Sequence, residues 1–422
     1  MKKIVLSNCW SYYNKGDASI LQGTINILND IIDDEIILTC LSFNVDGFNK
    51  HKNKFGHNVE FLYVPSLVPS IRVLEKILYA LYYPKYGCIK ELFGMLFIYT
   101  ELMLFKLLRK RDKELNKILK KIDEADLFVA VGGNYLWSHS GIFLHLVPII
   151  YAINRGKKIL LYGHTIGPFK NNFFKRYMKY VLNNVEFIFL REGLSKDYIK
   201  HNIKIKHNNY SVICDLAFYL KKVINTNLVK TKNVGLTVRL HLYDEPKLYK
   251  RYFVSIIKIC KTLIRRGYKI YIIPFSYEYK RENDLVLAEI IYKNVSSINE
   301  DDLTIINLQE YSPEEVLRLY TSKNFIFVIG ARLHSSIFAL MTGTPSINVS
   351  YQHFKSYGIY EQMQMNEYVT KMSDVTYEGL LSSVDKLTKD TNISRKKILS
   401  VVDRLNKQTY LKSEKIIKKL LY

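Results

Sequence analysis

One apolar run in the last third of the chain is followed at once by residues that could bind an anion and transfer a proton. The run NFIFVIG ends at Gly330, and four polar residues follow before an apolar helical pattern: Arg332, His334, Ser335 and Ser336. The backbone amides and dipole at a helix start favour an anion, and arginine pairs with phosphate or carboxylate oxygens. Histidine can supply a proton near neutral pH. The stretch therefore predicts an anion site with an acid beside it.

Polar residues or glycines also follow the other apolar runs of the chain. In open parallel α/β sheets, ligands bind at the carboxyl ends of the strands, in the loops that lead to helices. The further candidates in such loops are Asn14, Gly16, Asp17, Gly133, Asn134, His164, Asp215, Arg239 and Lys355.

Several of these candidates have two interpretations. Gly133 lets the backbone approach a ligand closely, and Asn134 offers an amide to a sugar hydroxyl. Asp17 either caps the helix that follows it or presents a carboxylate to a ligand. Asp215 likewise caps a turn or faces the ligand, and His164 belongs either to a site or to a structural turn.

Strand-like and helix-like runs alternate along the chain, and the pattern starts again after about residue 226. Short apolar strands separated by helices are typical of parallel sheets with helices on both faces. The sequence therefore predicts an α/β protein with two Rossmann-like domains, residues 1–226 and 227–422, whose parallel sheets face each other across a cleft. The polar stretch 221–233 fits a hinge between them.

Composition excludes several classes of protein. Lys and Arg outnumber Asp and Glu by 62 to 39, which gives a formal charge of +23. Such a balance suits nucleic acid, an anionic membrane or an acidic substrate, but no RNA-binding or zinc-finger signature is present, so nucleic acid is not an expected partner. The five cysteines form no CxxC pair, and the N-terminal apolar run is too short for a signal peptide. We therefore expect a reduced, cytoplasmic compartment.

An apolar and basic insertion, about residues 66–121, is predicted to be helical. Lys90, Glu91, Glu101 and Lys106 interrupt its longest apolar stretch, so it is not expected to span a membrane. It either packs on the first domain or lies on the inner face of an anionic membrane. The final segment, 395–422, predicts a basic amphipathic helix that packs on the protein.

The motifs occur together in the order of a known family. They are N-x-G-D at 14–17, V-G-G-N at 131–134, G-x-x-I-G-P at 163–168, L-R-E-x-x-S at 190–195, D-x-A at 215–217 and R-L-H-S-x-x-F-A-L-x-x-G-x-P at 332–345, with Y-x-x-x-K ending at Lys355. Over most of the chain they resemble the polysaccharide pyruvyl transferase family. His164 and Thr165 stand where that family often has Gln and Gly, and the 66–121 insertion is a second departure.

The resemblance implies a fold similar to two-domain, GT-B-type glycosyltransferases and transfer of pyruvate from phosphoenolpyruvate to two hydroxyls of one sugar, forming a cyclic ketal. It implies that Arg332 and Arg239 bind the donor and that His334 protonates its methylene carbon. The negative charge of the donor would raise the pKa of that histidine, which suits a general acid. Asp17 is our hypothesis for the base that deprotonates the attacking hydroxyl.

The remaining candidates complete the two predicted halves of the site. The donor half also contains Ser335, Ser336 and Lys355, and the acceptor half contains Asn14, Gly133, Asn134, His164 and Asp215. The acceptor implied by the family is a polysaccharide repeat unit or its lipid-linked precursor, which would place the enzyme at the inner membrane face. No ligand cluster for a metal is apparent, and the reaction needs no cofactor besides the donor substrate.

Two other functions compete with this interpretation. A GT-B-type glycosyltransferase would need a nucleotide-binding pocket with an acidic partner for the ribose, where this chain offers Tyr351 and Lys355. A non-catalytic protein of polysaccharide assembly would bind the membrane without Arg332 and His334, and would not bind phosphoenolpyruvate.

Overall fold

A computed structural model describes most of the chain of 422 residues. The described residues are 1–64, 113–138, 142–170, 172–221, 231–239, 246–278, 283–296, 299–351, 353–389 and 394–422. The predicted insertion therefore lies outside the described residues up to position 112, and its last part forms a helix. Among the described residues, no helix is long and apolar enough to cross a membrane.

The chain divides into two compact units that are not continuous in sequence. The first unit comprises residues 1–11, 28–213 and 412–422, and the second comprises residues 12–27 and 214–411. The predicted ranges were 1–226 and 227–422. In the structure, residues 12–27 and 214–411 belong to the second unit, and the last eleven residues, 412–422, belong to the first.

The first unit is built on a seven-stranded parallel sheet. Its strands are β1 (Lys2–Ser11), β2 (Ile36–Asn44), β3 (Val59–Tyr63), β4 (Leu127–Leu136), β5 (Ile159–Ile166), β6 (Phe187–Leu190) and β7 (Tyr210–Val212). They lie in the order β3-β2-β1-β4-β5-β6-β7. The described helices of this part of the chain are α1 (Lys15–Ile31), which begins in the second unit, α2 (Val45–Lys50), α3 (Lys113–Asp123), α4 (Ile142–Asn154), α5 (Asn172–Asn183) and α6 (Gly193–Tyr198).

The second unit is built on a six-stranded parallel sheet. Its strands are β8 (Asn233–Thr237), β9 (Lys269–Ile272), β10 (Leu303–Ile305), β11 (Phe327–Gly330), β12 (Ser346–Ser350) and β13 (Val369–Lys371), in the order β10-β9-β8-β11-β12-β13. The helices are α7 (Pro246–Arg265), α8 (Asp284–Val295), α9 (Pro313–Lys323), α10 (Leu333–Met341), α11 (His353–Gln362), α12 (Tyr377–Lys389) and α13 (Arg395–Leu421), the last of which ends in the first unit.

Local sequence signals explain several of these boundaries. Helix α9 begins with a capping box in which Ser312 and Glu315 each bond the other's backbone amide. Asn324 ends the same helix in the left-handed conformation, and Gly343, with φ of +74°, follows α10. The strands are apolar and buried, because helices cover parallel sheets on both faces. The predicted α/β fold with two parallel sheets is confirmed.

Both sheets reverse their strand order at one place. The reversal lies between β1 and β4 in the first unit and between β8 and β11 in the second. Loops at the carboxyl ends of such strand pairs leave the sheet in opposite directions, which opens a crevice for ligands. We call these two places the first and second switch points.

Candidate active site

The second switch point holds two arginines at adjacent strand ends. Gly330, the last residue of β11, pairs with Thr237, the last residue of β8. Past these ends, the backbone amide of Arg332 lies 3.4 Å from Oγ1 of Thr237. Arg239 follows β8, so the register of two strands sets the positions of both cations.

Arg332 is held by a carboxylate that the sequence patterns did not reveal. Its Nη2 and Nε lie 2.6 and 2.9 Å from the two carboxylate oxygens of Asp284, and only 8% of its side chain is exposed. Asp284 also accepts hydrogen bonds from the amides of Phe275 and Ser276. This bidentate pair fixes the guanidinium in the plane of the carboxylate. Asp284 begins α8, 48 residues before its partner, which is why no local motif indicates it.

Tyr351 lies close to Arg239 and Lys355, and the pKa of its hydroxyl shows that its surroundings are positively charged. The guanidinium carbon of Arg239 lies 3.9 Å from the centre of the tyrosine ring, and Nζ of Lys355 lies 4.1 Å from it. Burial raises the pKa of the Tyr351 hydroxyl. The positive charges of Arg239, Lys355 and Arg332 lower it by more than burial raises it, so the pKa is about 8. A phenol that ionises this readily lies in a strongly positive field. We call Arg239, Arg332 and Lys355 the cation cluster.

His334 packs between Gly16, in the first turn of α1, and Asp215. Its Nε2 lies 3.6 Å from a carboxylate oxygen of Asp215, which is itself fully buried. On the opposite side, a Cβ added to Gly16 would lie 2.2 Å from Nδ1 of His334. Glycine at position 16 therefore provides the space that the imidazole occupies. The side chain of His334 remains 16% exposed.

The N-x-G-D motif caps α1, but with a different residue from the one predicted. Oδ1 of Asn14 accepts from the amide of Gly16 at 3.1 Å and lies 3.5 Å from that of Asp17. The helix begins at Lys15, so Asp17 lies in its first turn, and of its two interpretations the N-cap is not the one observed. The physical reason is that capping requires a residue just before the helix, and Asn14 occupies that place. The carboxylate of Asp17 is half-buried.

Asp215 and the two serines lie deeper than a ligand-binding role would suggest. Asp215 caps a short 3₁₀ helix by accepting from the amide of Ala217 at 3.0 Å. Ser335 and Ser336 lie inside α10, which begins at Leu333, and both are fully buried. Their hydroxyls accept hydrogen bonds from Tyr320 and from the Asn348 amide, respectively. Binding of donor by the serines and of acceptor by Asp215 stays a prediction.

The remaining predicted acceptor residues belong to the first unit. Gly133 and Asn134 lie near the end of β4, and Asn134 is half-buried. His164 lies on β5, fully buried, with Nε2 3.1 Å from the carbonyl oxygen of Ala130. Burial, opposed by that hydrogen bond, lowers the pKa of His164 to about 4, and the charge of Arg191 adds to the decrease. His164 is therefore neutral at physiological pH. Its role in acceptor binding is untested.

The structure brings most of the predicted site residues into one unit. Those in the second unit are Asn14, Asp17, Asp215, Arg239, Arg332, His334, Ser335, Ser336 and Lys355. Among the described residues, no three His, Cys, Asp or Glu side chains are grouped as a metal site would require. The arrangement can bind a compact polyanion at the cation cluster and can hold an imidazolium near a carboxylate.

The fold and this site define a two-sheet α/β protein with a buried cluster of cationic side chains at a strand switch point. The chain belongs to the polysaccharide pyruvyl transferase family, whose model matches residues 14–353. It is similar to the amylovoran biosynthesis protein AmsJ of Erwinia amylovora, with 22% identity over 290 residues, which are 64% of this chain and 67% of AmsJ. Pyruvyl transfer in polysaccharide biosynthesis is the general function that these relationships support.

Solved structures with the same fold include complexes with UDP and glucose and with UDP-GlcNAc. Anabaena Alr3699/HepE in complex with UDP and glucose matches with a TM-score of 0.58 at 12% identity, over 100% of this chain and 99% of that chain. The UDP-GlcNAc 2-epimerase of Neisseria meningitidis, bound to UDP-GlcNAc, matches with a TM-score of 0.53 at 11% identity, over 98% and 100% of the chains. At such low identity these matches establish the fold alone.

Proposed function

We propose that this protein transfers pyruvate from phosphoenolpyruvate to two hydroxyls of one sugar in a cell-surface polysaccharide or its lipid-linked precursor, forming a cyclic ketal and releasing phosphate. The observation that carries the proposal is the cation cluster, which lowers the pKa of Tyr351 to about 8. Phosphoenolpyruvate is small and densely negative, so its site needs several cations at close range. Family membership supports the same donor.

The cation cluster would hold the donor by its phosphate and carboxylate. Arg332 directs Nε and Nη2 to Asp284, which fixes its orientation toward a bound anion. Arg239 and Lys355 both lie close to the Tyr351 ring, with the guanidinium carbon at 3.9 Å and Nζ at 4.1 Å from its centre. Such preorganised cations stabilise the negative charge that develops on a departing phosphate.

His334 would be the general acid. It donates a proton to the methylene carbon C3, the adjacent C2 becomes electrophilic, and a sugar hydroxyl oxygen bonds to C2 as it loses its proton. The bond from C2 to the phosphate oxygen then breaks, and the second hydroxyl closes the ketal as it loses its own proton. Of the two protons released, one restores the acid and the other leaves with phosphate. Protonation by a positioned side chain is worth about 10²–10⁴-fold in rate.

Two aspartates would support this acid. Asp215 lies 3.6 Å from Nε2 of His334 and favours the protonated imidazole, so we assign it a positioning role in place of acceptor binding. Asp17 follows Gly16, which packs against Nδ1 of the same imidazole. That placement keeps Asp17 as our candidate for the base that takes the hydroxyl proton. An Asp17→Asn variant with normal turnover would remove this role.

Thermal unfolding with and without ligand tests the donor. At about 100 times its dissociation constant, a ligand stabilises the folded protein by roughly 2.7 kcal/mol. We expect phosphoenolpyruvate to stabilise the wild type and Lys258→Met, which removes an exposed lysine of the same unit, but not Lys355→Met. Stabilisation by UDP-sugars and not by phosphoenolpyruvate would instead identify a sugar-nucleotide glycosyltransferase.

A further inference from the structure

Four rings gather at the first switch point, where the catalytic proposal assigns no role. Trp10 lies near the end of β1, Phe43 near the end of β2 and Tyr135 near the end of β4, and His145 lies on α4, the helix after β4. All four belong to the first unit. We call them the aromatic platform. Their positions correspond to the ligand end of a parallel sheet.

The rings contact one another closely. His145 stacks on Tyr135 with ring centres 4.4 Å apart and an angle of 20° between the planes. Trp10 lies 5.3 Å from His145, 6.4 Å from Tyr135 and 5.5 Å from Phe43. His145 is only 3% exposed, so it forms the base of the group, whereas the other three rings are half-buried. The platform therefore keeps aromatic surface in contact with solvent.

A strained asparagine supports the base of the platform. Asn8 has φ of +63° at an irregularity in β1, a conformation that costs a residue with a side chain about 1 kcal/mol or more. Oδ1 of Asn8 lies 3.3 Å from Nδ1 of His145, which sets the orientation of the imidazole that stacks on Tyr135. The Nδ2 of Asn8 is buried and has no hydrogen-bond partner among the described residues. Strain and an unsatisfied buried amide persist where function requires them.

Polar residues follow Trp10 and Phe43 in their strands and lie on the opposite face of the sheet, because successive strand residues point to opposite faces. Ser11 and Asn44 end β1 and β2 opposite each other, with Nδ2 of Asn44 3.3 Å from Oγ of Ser11. Asn44 is half-buried, as is Asn134, the neighbour of Tyr135 in β4. The face of the sheet that carries the rings thus presents aromatic surface, which complements the C–H groups on the face of a sugar ring.

We propose that the aromatic platform is a carbohydrate-binding site that stacks a hexopyranose ring against Trp10 and Tyr135. The polarised C–H groups on one face of the sugar contact the negative faces of the rings. The identification of this sugar as the acceptor rests on the proposed function, whereas binding of the sugar does not.

A structural cluster and a nucleobase site are the two alternatives to a sugar site at the platform. A purely structural cluster would be enclosed like the aliphatic core of the same unit. Phe43 packs against that core, but Trp10 and Tyr135 retain exposed surface. A nucleobase could also stack on these rings, but the diphosphate of a sugar nucleotide requires cations nearby. Among the described residues, the four rings that contact one another carry no permanent charge, which favours a neutral sugar.

Saturation-transfer NMR tests the proposal with methyl glycosides of glucose, galactose, mannose and N-acetylglucosamine, and with uridine monophosphate. We expect at least one glycoside to receive saturation, strongest at the ring C–H protons of one face. Trp10→Ala and Tyr135→Ala should each weaken that binding at least tenfold, and Trp10→Phe should retain most of it. Tyr180→Ala removes an exposed ring elsewhere on the unit, on α5, and should change nothing.

The outcomes separate this proposal from the proposed function. Thermal stabilisation by phosphoenolpyruvate is measured on every variant, so a misfolded protein is recognised and the donor is tested separately. Glycoside binding that survives both alanine substitutions, no glycoside binding in the wild type, or binding of uridine monophosphate alone would overturn the sugar site. Failure of phosphoenolpyruvate to bind, with the glycoside result as expected, would overturn the donor and leave the sugar site standing.

Discussion

The two switch points occupy the same place in two similar sheets and differ completely in chemistry. The second carries the cation cluster, with Asp284 and Asp215 fixing the orientation of Arg332 and His334. The first carries the aromatic platform, whose rings have no permanent charge. A parallel sheet thus determines where a ligand binds, and the side chains just past the strand ends determine which ligand binds.

The difference also concerns how each place is kept rigid. At the second switch point, Arg332 is held by the hydrogen bonds that it donates to Asp284, because a buried cation needs a partner. At the first, stacking holds the rings, and Asn8 supports them through His145. We therefore expect substitutions at the second to affect binding of the donor and chemistry, and substitutions at the first to affect binding of a sugar.

The largest expected effect is that of His334→Gln. Loss of the acid should lower kcat by about 10²–10⁴-fold, while thermal stabilisation by phosphoenolpyruvate persists because the cation cluster is intact. Turnover is measured as phosphate released from phosphoenolpyruvate, with polysaccharide from the source cells as acceptor. A variant that retains more than a tenth of the wild-type kcat would show that His334 is not the acid.

The next effect is that of Gly16→Ala. A methyl group at this position would lie 2.2 Å from Nδ1 of His334, so the imidazole must move. A misplacement of about 1 Å near reacting atoms can cost about 10²-fold in rate. Gly193→Ala is the matched control, because a Cβ there meets nothing within 4 Å and the glycine has no positive φ. Equal turnover in the two variants would contradict the close packing of Gly16 on the acid.

Asp215→Asn should have a smaller effect, about tenfold on kcat. The amide is isosteric but does not favour the protonated imidazole, so less acid is available at neutral pH. The alkaline limb of the profile of kcat against pH should move to lower pH, a change that a purely structural role would not produce. An equal loss of kcat at all pH values, with the alkaline limb unmoved, would show that Asp215 acts only through its capping hydrogen bond with Ala217.

The smallest effect is a dependence of donor affinity on pH. The pKa of Tyr351 is about 8, below the ordinary 10.0, so its hydroxyl ionises as pH rises through about 8 and places a negative charge within the cation cluster. Affinity for phosphoenolpyruvate should fall a few-fold from pH 7 to pH 9 in the wild type. Calorimetric titration of Tyr351→Phe should show a weaker decrease. The same decrease in both proteins would assign the effect to another group.

Local patterns predicted the fold because each strand is a short apolar run and each helix has its own signals. The run that ends at Gly330 and the Gly343 stop bracket α10 in both sequence and structure. The same local patterns predicted that Arg239, Arg332, His334 and Lys355 lie near strand ends. A parallel sheet brings those ends to one edge.

Contacts between distant residues could not be predicted in the same way. Asp284 pairs with Arg332 across 48 positions, and Gly16 accommodates His334 from the other end of the chain. The burial of Ser335 and Ser336 depends on Tyr320 and Asn348, whose positions only the packed unit reveals. The aromatic platform was missed because its four rings come from separate runs, each of which is compatible with an ordinary core.

We assign phosphoenolpyruvate to the second switch point and the sugar to the first. A paired binding measurement on two variants tests this assignment most directly. Calorimetry with phosphoenolpyruvate and saturation-transfer NMR with the methyl glycosides are performed on Lys355→Met and Trp10→Ala. We expect Lys355→Met to lose phosphoenolpyruvate and keep the glycoside, and Trp10→Ala to do the opposite. Loss of both ligands in either folded variant, or retention of phosphoenolpyruvate by Lys355→Met, would contradict this division of the two sites.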